Sequence, residues 1–372
     1  MAENTVKNAT QLLSELPQAV QQLDAFRAGN GSDNQRPVDI SFSEFVQEKY
    51  AISQEDYLKQ VGINTKVTTM ENIFTMPNQN IRWLVPEIIR SAVDLGMREA
   101  PFYPNLIASD QPISGLSAIM PIVNVSDAAP ARLNEAETIP LGDVSFGQKS
   151  VTLFKVGRGF KLTDEVKNYV SLDVMSLFIK DFGVQLGYAL DSLAMDVLQN
   201  GNMKNGAESA PVLGVTTIGS MVYKDLLRIW IRASRLGRNF KSMIGGEQTA
   251  LDVLDLPEFK NKQAGTTQAT LNLKTPVPSS ADFYIHQGVD NNQVLLVDPS
   301  AAMIKLTAQQ LKLESERIVS NQTEAIYASL TTGFSKMYQD AAILVDKSVA
   351  FETAGFPEYM KVDPFLDYSI ID

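Results

Sequence analysis

The side chains able to act as a base, a nucleophile or a metal ligand are scarce in this sequence. The chain has one histidine, His286 in "FYIHQG", and no cysteine. The lack of cysteine excludes disulfides, thiolate metal sites and thiol nucleophiles. His286 lies in a strand-like run, with no second histidine and no serine motif to support it, which favours a structural histidine over a base or a ligand.

The sequence motifs of common enzyme classes are absent as well. "GLSAI" at Gly115 lacks the second glycine of a G-x-S-x-G elbow, and no G-x-x-x-x-G-K-[ST], H-E-x-x-H or EF-hand pattern occurs. A pair of carboxylates can serve as general acid and base without any motif. Because the chain has 43 acidic residues, an acidic oligomeric enzyme stays an alternative. No catalytic residue, metal site or cofactor is predicted.

Three arginines form a cationic row on one predicted helix, Val222–Leu236. Arg228, Arg232 and Arg235 are spaced four and three residues apart, which places them on one side of that helix. The formal net charge of −11 argues against a nucleic-acid-binding stripe, because such binding depends on cations that neutralise phosphates. The row is interpreted as a solvated face or as a contact with an acidic neighbouring subunit.

Composition places the chain among globular proteins. It has 372 residues, 44% hydrophobic and 20% charged, which is enough for a large core and more than one subdomain. No apolar run approaches the length of a membrane span, and the polar N-terminus does not resemble a signal peptide, so synthesis in the cytoplasm is expected. The acidic charge is compatible with DNA held by confinement rather than by tight binding.

Helices dominate the elements predicted before residue 115. Apolar residues recur at helical spacing over Lys7–Ala28, and Pro17 inside this run predicts two short helices or a kink. A polar linker follows at Gly29–Asp39. Three further helix signals are the capping-box-like starts at Ser41 and Ser53 and the pattern over Glu87–Met97.

Strands are predicted between Gly115 and Leu162. The runs "GLSAIMPIVNV" and "SFGQKSVTLFKVGRGFKL" are rich in β-branched and aromatic residues, and a polar tip at Ser126–Asp143 separates them. This pattern predicts a long β-hairpin. An isolated two-stranded ribbon is marginal in water, so the hairpin should lie on another surface, most simply a neighbouring copy of the chain.

A long helix is predicted over Ser171–Gly201. The 29 residues that end at Gln199 would span about 44 Å. Gly183 and Gly187, one turn apart, predict a close approach by strands. Apolar side chains recur every three or four residues and form one broad stripe: Met175, Phe178, Ile179, Phe182, Leu186, Ala189, Leu190, Leu193, Val197 and Leu198.

The rest of the chain mixes helices and strands. Helices are predicted over Val222–Leu236 and "EQTALDVL", with strands in "KSMIGG" and on both sides of a turn in "NNQVLLVDPSAAMIKL". The last third is β-rich, in "LKLESERI", "TEAIYASLTTGFSKMY" and "DAAILVD". The tail after Phe351 holds Phe356, Tyr359 and further aromatic residues, which predicts docking rather than a free end.

The order of these elements resembles the major capsid proteins of tailed double-stranded DNA phages, which have the Hong Kong 97 fold. The resemblance rests on "GRGFKLTDEV" from Gly157, the long helix, and the strand group Gln293–Asp346. It implies an α+β fold with an N-terminal arm, an extended β-hairpin loop, a spine helix with a peripheral β-sheet, and an axial domain. The implied segments are the arm and linker 1–114, the hairpin loop 115–162, the peripheral domain 163–220, the axial domain 221–308, the peripheral return strands 309–350 and the tail 351–372.

The resemblance further implies a structural subunit, not an enzyme, that assembles as hexamers and pentamers into an icosahedral head around the DNA. Its other partners would be a portal and a scaffold or decoration protein. Assembly would occur in the host bacterial cytoplasm, with the final location in the virion and not in a membrane. The nearest alternative is an encapsulin-like nanocompartment. The candidate subunit contacts are Arg132, Glu135, Glu137, Arg228, Arg232, Arg235, Phe356 and Tyr359.

The sequence departs from some members of this family in two respects. Some members join neighbouring loops by a lysine–asparagine isopeptide bond, but residues 126–148 contain no lysine and Lys149 lies at the base of the hairpin. A non-covalent shell is therefore expected. Some members also lose a long N-terminal scaffolding segment. The segment before Gly29 is short and interrupted by Pro17, so a retained arm is expected.

Overall fold

The computed structural model describes residues 9–28, 40–113, 115, 117–120, 149–202, 209–235, 238–256 and 281–351. Within these ranges the α-helices are α1 (Ala9–Arg27), α2 (Phe42–Tyr50), α3 (Gln54–Gln60), α4 (Met70–Thr75), α5 (Leu84–Glu99), α6 (Asp164–Tyr169), α7 (Leu172–Asn200), α8 (Tyr223–Arg235) and α9 (Glu247–Leu254). The strands are β1 (Ile107–Pro112), β2 (Ser117–Met120), β3 (Lys149–Thr152), β4 (Phe154–Thr163), β5 (Val212–Val215), β6 (Ser242–Gly245), β7 (Asp282–Ile285), β8 (Gln293–Val297), β9 (Met303–Ile318), β10 (Thr323–Lys336) and β11 (Ala342–Ala350).

Four strands form one sheet in the order β1-β9-β10-β4. β1 pairs in parallel with β9, and β10 pairs antiparallel with both β9 and β4. In β10, Ile326, Ala328 and Leu330 lie on one face and belong to the main core. Tyr327, on the other face, is exposed. One face of this sheet therefore packs on the helices, while the other is exposed at Tyr327 but buried at Ala325, Ser329 and Thr331.

Five strands form a second sheet in the order β5-β11-β8-β6-β7. The segment predicted to return to the peripheral sheet, 309–350, is thus divided between two sheets, with β11 between β5 and β8. The reason lies in β11, whose first six residues are buried and so require cover on both faces. One face of the sheet packs against α8 and α9, and the other contributes Ile244 and Leu295 to the main core.

The consecutive strands β8 and β9 lie in different sheets, so the predicted strand–turn–strand unit is not a hairpin. The turn between them is fixed by the buried Asp298. The backbone N–H and the hydroxyl of Ser300 both donate to Asp298 Oδ1, at 3.2 and 2.6 Å. This Asx-type turn passes the chain from one sheet to the other.

The helix α7 packs against α5, and glycines set the spacing between them. A Cβ atom added at Gly183 would overlap the backbone of Val93, and one added at Gly96 would overlap the backbone of Lys180. The close approach predicted at Gly183 is therefore confirmed, but the element that approaches is a helix rather than strands. At Gly187 the neighbour is the ring of Pro101.

The apolar stripe of α7 is narrower than the sequence predicted. Met175, Ile179, Phe182 and Leu186 are buried as expected, but Phe178 is 72% exposed. At about 100° per residue, Phe178 lies about 70° from the centre of these buried residues, at the edge of the stripe. The prediction that Phe178 belongs to the buried stripe is therefore wrong. Near the start of α7, apolar residues extend around the helix beyond the part that the chain covers.

The N-terminal segment forms one helix packed on its own chain, so of the two expected alternatives, two short helices or a kink, the first is wrong. Pro17 lies inside α1, while Leu12, Leu16 and Leu23 are buried in the main core on both sides of it. Their burial offsets the hydrogen bond that proline removes. Arg27 then donates two hydrogen bonds to the buried carboxylate of Glu87, at 2.9 and 3.0 Å.

Side-chain caps begin the next helices as predicted. Ser41 accepts the backbone N–H of Glu44, and the Glu44 carboxylate accepts the N–H of Ser41, which completes a capping box at α2. Ser53 accepts the backbone N–H of Asp56 at the start of α3. These caps fix where the chain enters the helical layer.

The base of the predicted hairpin is a short ribbon of β2 and β3, paired antiparallel over four residues. Val151, Leu153 and Leu306 form a small apolar cluster that holds this base on β9 of the same chain. The intervening residues 121–148 lie outside the described residues.

Candidate functional site

The single histidine has a structural role, as the sequence analysis favoured. The backbone N–H of Gly288 donates to His286 Nδ1 at 2.9 Å, and the Phe102 ring packs edge-on at 5.7 Å between centroids. Burial lowers the pKa of His286, which keeps the imidazole neutral and able to accept this hydrogen bond. The arrangement stabilises the turn between β7 and β8.

A buried carboxylate on α7 also has structural partners. Asp191 has no exposed surface and accepts the backbone N–H groups of Tyr103 and Phe102, at 2.8 and 3.4 Å. Burial raises its pKa to about 6, although the two hydrogen bonds act in the opposite direction. Asp191 therefore anchors the segment between α5 and β1 to the middle of α7.

No catalytic or metal centre is evident in the part of the chain that the structure describes. No cluster of three or more His, Cys, Asp or Glu side chains that could hold a metal occurs among these residues. A cavity between α4, α5 and α7 has almost entirely apolar walls, with Ser176 as its polar member. Among the described residues, no helix is long and apolar enough to cross a membrane.

Only one arginine of the predicted cationic row has a described side chain. Arg228 donates to Thr216 Oγ1 at 3.2 Å, lies 3.7 Å from Asp225 Oδ1, and places its guanidinium 4.3 Å from the ring centroid of Phe351. These are contacts within the chain. Arg232 and Arg235 lie on α8, but their side chains fall outside the described residues. The predicted contact residues Arg132, Glu135, Glu137, Phe356 and Tyr359 fall outside them too.

Exposed apolar side chains gather at the start of α7, a feature that the sequence analysis missed. We call the five residues Val67, Tyr169, Val174, Leu177 and Phe178 the apolar end; all are exposed. The backbone N–H groups of Leu172 and Asp173 donate to the carbonyls of Thr68 and Thr65, both at 3.0 Å. The loop that carries Val67 is thereby held beside the first turn of α7.

Ion pairs hold the adjoining helix α6, and with it Tyr169, against the β9–β10 hairpin. Arg317 makes two hydrogen bonds to Asp164, at 2.9 and 2.8 Å. Lys167 Nζ lies 2.9 Å from Asp164 and 3.3 Å from Glu324. Hydrogen bonds from Arg317 and Lys167 hold the pKa of Asp164 well below its usual range. The apolar end therefore rests on a fixed support.

One sequence signal could have identified the apolar end. Val174 and Leu177 lie on the side of α7 away from Met175, Ile179 and Phe182, and Phe178 lies between the two sides, one turn from Val174. A helix that is apolar on both sides must bury both or leave one exposed. Val67 and Tyr169 are isolated apolar residues in sequence, so no pattern marks them.

The comparisons with known proteins give a fold. No family model matches the chain, and no curated protein matches it. A crystal structure of a phage-related protein from Bordetella bronchiseptica RB50 matches at TM-score 0.50 and 10% identity, covering 73% of this chain and 98% of that one. The capsid structure of the Cyanophage P-SCSP1u matches at TM-score 0.48 and 14% identity, covering 67% and 88%. The holo-SrpI encapsulin complex from Synechococcus elongatus PCC 7942 matches at 0.46 and 12%, covering 69% and 91%.

The chain combines the long helix α7, a four-stranded sheet packed beside it and a separate five-stranded sheet. With the match to the Bordetella protein, the chain has the α+β fold of the Hong Kong 97 type.

Proposed function

We propose that this chain is the major capsid protein of a tailed phage, which assembles as hexamers and pentamers into an icosahedral head around double-stranded DNA. The observation that carries the proposal is the fold. The Bordetella protein with the same fold is described as phage-related, and nearly its whole length is matched. A fold alone hosts many functions, so the proposal needs support from the surface of this chain.

The base of the ribbon supports a role in assembly. β2 and β3 pair over only four described residues, and 28 residues, 121–148, lie between them. A two-stranded ribbon gains stability when a larger surface supports it. We propose that the ribbon lies on a neighbouring copy, with Arg132, Glu135 and Glu137 among its contacts. Arg232, Arg235, Phe356 and Tyr359 are further proposed contacts.

Charge is consistent with enclosing DNA rather than gripping it. The chain carries a formal net charge of −11, whereas proteins that bind DNA through its phosphates are typically rich in surface cations. A wall with this charge leaves the enclosed DNA free to move during packaging. A portal, and a scaffold or decoration protein, would be separate partners, with assembly in the host cytoplasm.

Electron microscopy of the purified chain tests the proposal. The expected result is closed particles of uniform diameter over some range of salt and protein concentration. A monomer under all such conditions would contradict the proposal. Particles that enclose DNA during infection would support a phage head, whereas particles filled with one protein cargo would indicate an encapsulin-like compartment.

A deletion tests the ribbon separately. Removal of residues 128–138 should leave the subunit folded, because the base of the ribbon is anchored on β9 by Leu153 and Leu306. Closed particles should be lost. The matched control replaces the same residues with an equally long Gly/Ser segment, which keeps the length but removes the side chains. Normal particles from both variants would show that the ribbon tip makes no essential contact.

A further inference from the structure

We infer that the apolar end at the start of α7 is buried against a second copy of this chain. The inference rests on the proposed function, because it assigns one of the contacts that a shell requires. The apolar end differs from the contacts proposed for the ribbon tip and the C-terminal tail, since all five of its residues are described.

The exposed apolar area is the first argument. Tyr169 and Phe178 are 84% and 72% exposed. Aromatic side chains bury about 150–250 Å² each, so these two rings leave roughly 300 Å² uncovered. Leu177, Val67 and Val174 add to this area. The total reaches the range of about 300–600 Å² that marks the largest and often functional patch on a monomer.

The rigidity of the apolar end is the second argument. Its loop is bonded to the first turn of α7, and α6 is held by the ion pairs of Asp164 with Arg317 and Lys167. A surface that is already ordered loses little conformational entropy when a partner covers it. Rigid exposed aromatic residues are therefore suited to a specific contact.

The charges around the apolar end suit a second copy of the chain as the partner. Exposed residues of both signs flank it, with Lys66 on the loop and Glu165, Asp173 and Asp181 on the helices. Elsewhere the net charge of −11 makes copies of the chain repel one another. An apolar centre with a rim of mixed sign permits a contact between identical surfaces, in which Lys66 of one copy faces a carboxylate of the other.

The chain's own C-terminal tail is a less favourable occupant. The described chain ends at Phe351, which packs on Arg228 near the five-stranded sheet. That sheet contacts the far end of α7, where Gln199 donates to the carbonyl of Gly288. A tail from the same chain would first have to run back along most of a helix of about 44 Å.

Cysteine labelling tests the inference, and the chain offers a background without native thiols. In Phe178→Cys the thiol should react with a maleimide in the free subunit and at least tenfold more slowly in particles. Ser192→Cys, on the exposed side of the same helix, serves as the control and should react at similar rates in both states. Equal rates for Phe178→Cys in the two states would overturn the inference, as would protection already present in the free subunit.

A substitution gives an independent readout. Leu177→Ser with Phe178→Ser should leave the circular dichroism spectrum of the subunit unchanged and reduce the yield of particles at least tenfold. Tyr188→Ser removes an exposed aromatic residue from α7 outside the apolar end and should keep the wild-type yield. Normal particles from the double variant would overturn the inference. Absence of particles from the wild-type chain would instead contradict the proposed function.

Discussion

The two ends of α7 have similar apolar content but different surroundings. Near its C-terminal end Leu190, Ala194 and Leu198 are buried by other elements of the same chain. Near its start Leu177 and Phe178 are equally apolar and remain exposed. The residue types of a helix therefore do not decide whether the chain itself buries them. The difference separates residues that stabilise the subunit from residues available for a contact between subunits.

The largest difference in stability is expected between two variants that place a lysine in the buried half of α7 and at its exposed start. Leu190→Lys puts an unpaired ammonium in the core and should cost at least about 4 kcal/mol, enough to abolish the soluble subunit. Leu177→Lys places the charge in water, one turn from both Asp173 and Asp181, and should change the free energy of unfolding by less than about 1 kcal/mol. The yield of soluble protein measures the effect of Leu190→Lys, and urea unfolding followed by tryptophan fluorescence measures that of Leu177→Lys.

If Leu177→Lys proved as unstable as Leu190→Lys, the proposed difference between the two ends of α7 would be contradicted. The start of α7 would then belong to the core of the subunit. A folded Leu177→Lys subunit that assembles normally would leave the stability contrast intact but remove the assignment of this surface to assembly.

The second effect concerns α1, which packs against the main core of its own chain. Arg27→Ala leaves the carboxylate of Glu87 buried without its bidentate partner and should destabilise the subunit by about 3–5 kcal/mol. Replacement of both residues, Arg27→Met with Glu87→Leu, should recover most of this loss, because no buried charge remains. The same urea unfolding experiment applies.

An exposed pair provides the control for Arg27. Lys59→Ala breaks the surface pair of Lys59 with Glu55 and should leave the unfolding midpoint nearly unchanged. An equally small effect for Arg27→Ala would indicate that α1 is not docked in solution and acts as a free arm.

The third effect is a dependence on pH at the buried half of α7. The pKa of Asp191 is raised from 3.8 to about 6, so the folded state holds a proton that the unfolded state releases between these values. The contribution of Asp191 to stability is therefore fully present below pH 3.8 and lost as the pH rises through 6, a change of about 3 kcal/mol. Asp191→Asn should remove it.

The measurement for Asp191 is the difference in unfolding free energy between Asp191→Asn and the wild type, followed from pH 4 to pH 7. The difference should shift in favour of the variant as the pH rises. A constant difference would show that the carboxyl group has an ordinary pKa.

The smallest effect is expected where α5 and α7 meet. Gly183→Ala forces a Cβ atom into the backbone of Val93 and should lower the free energy of unfolding by about 1–3 kcal/mol. The higher helix propensity of alanine offsets up to about 1 kcal/mol of this loss. A Cβ atom in Gly187→Ala meets the ring of Pro101 at 2.7 Å and the carbonyl oxygen of Met97 at 3.3 Å, a milder overlap that should cost less. A neutral Gly183→Ala would mean that the two helices can separate without loss.

Much of the fold could be predicted from the sequence, because its signals are local. The caps at Ser41 and Ser53, the long helix and the strands of the last third follow from spacing and residue type. Sheet membership could not be predicted, since β11 resembles a continuation of β10 until its burial on both faces is known. The continuity of α1 through Pro17 depends on tertiary burial that overrides a local preference.

The candidate site was less predictable than the fold. Leu177 and Phe178 carry a helical signal, but the sequence does not reveal which side of α7 the chain covers. Val67 and Tyr169 join them only through the loop and the short helix that meet at the start of α7. The predicted tip and tail contacts remain predictions, because they lie outside the described residues.

The chain passes from one sheet to the other and back, which limits how the molecule can be divided into fragments. One sheet draws on strands from Ile107 to Lys336 and the other on strands from Val212 to Ala350, and these spans overlap. Any single break between Ile107 and Ala350 leaves at least one sheet incomplete. The polypeptide is therefore expected to fold and to be degraded as one unit, and truncation within this span should not give a stable fragment. Hybrids with related chains would need two matched junctions rather than one.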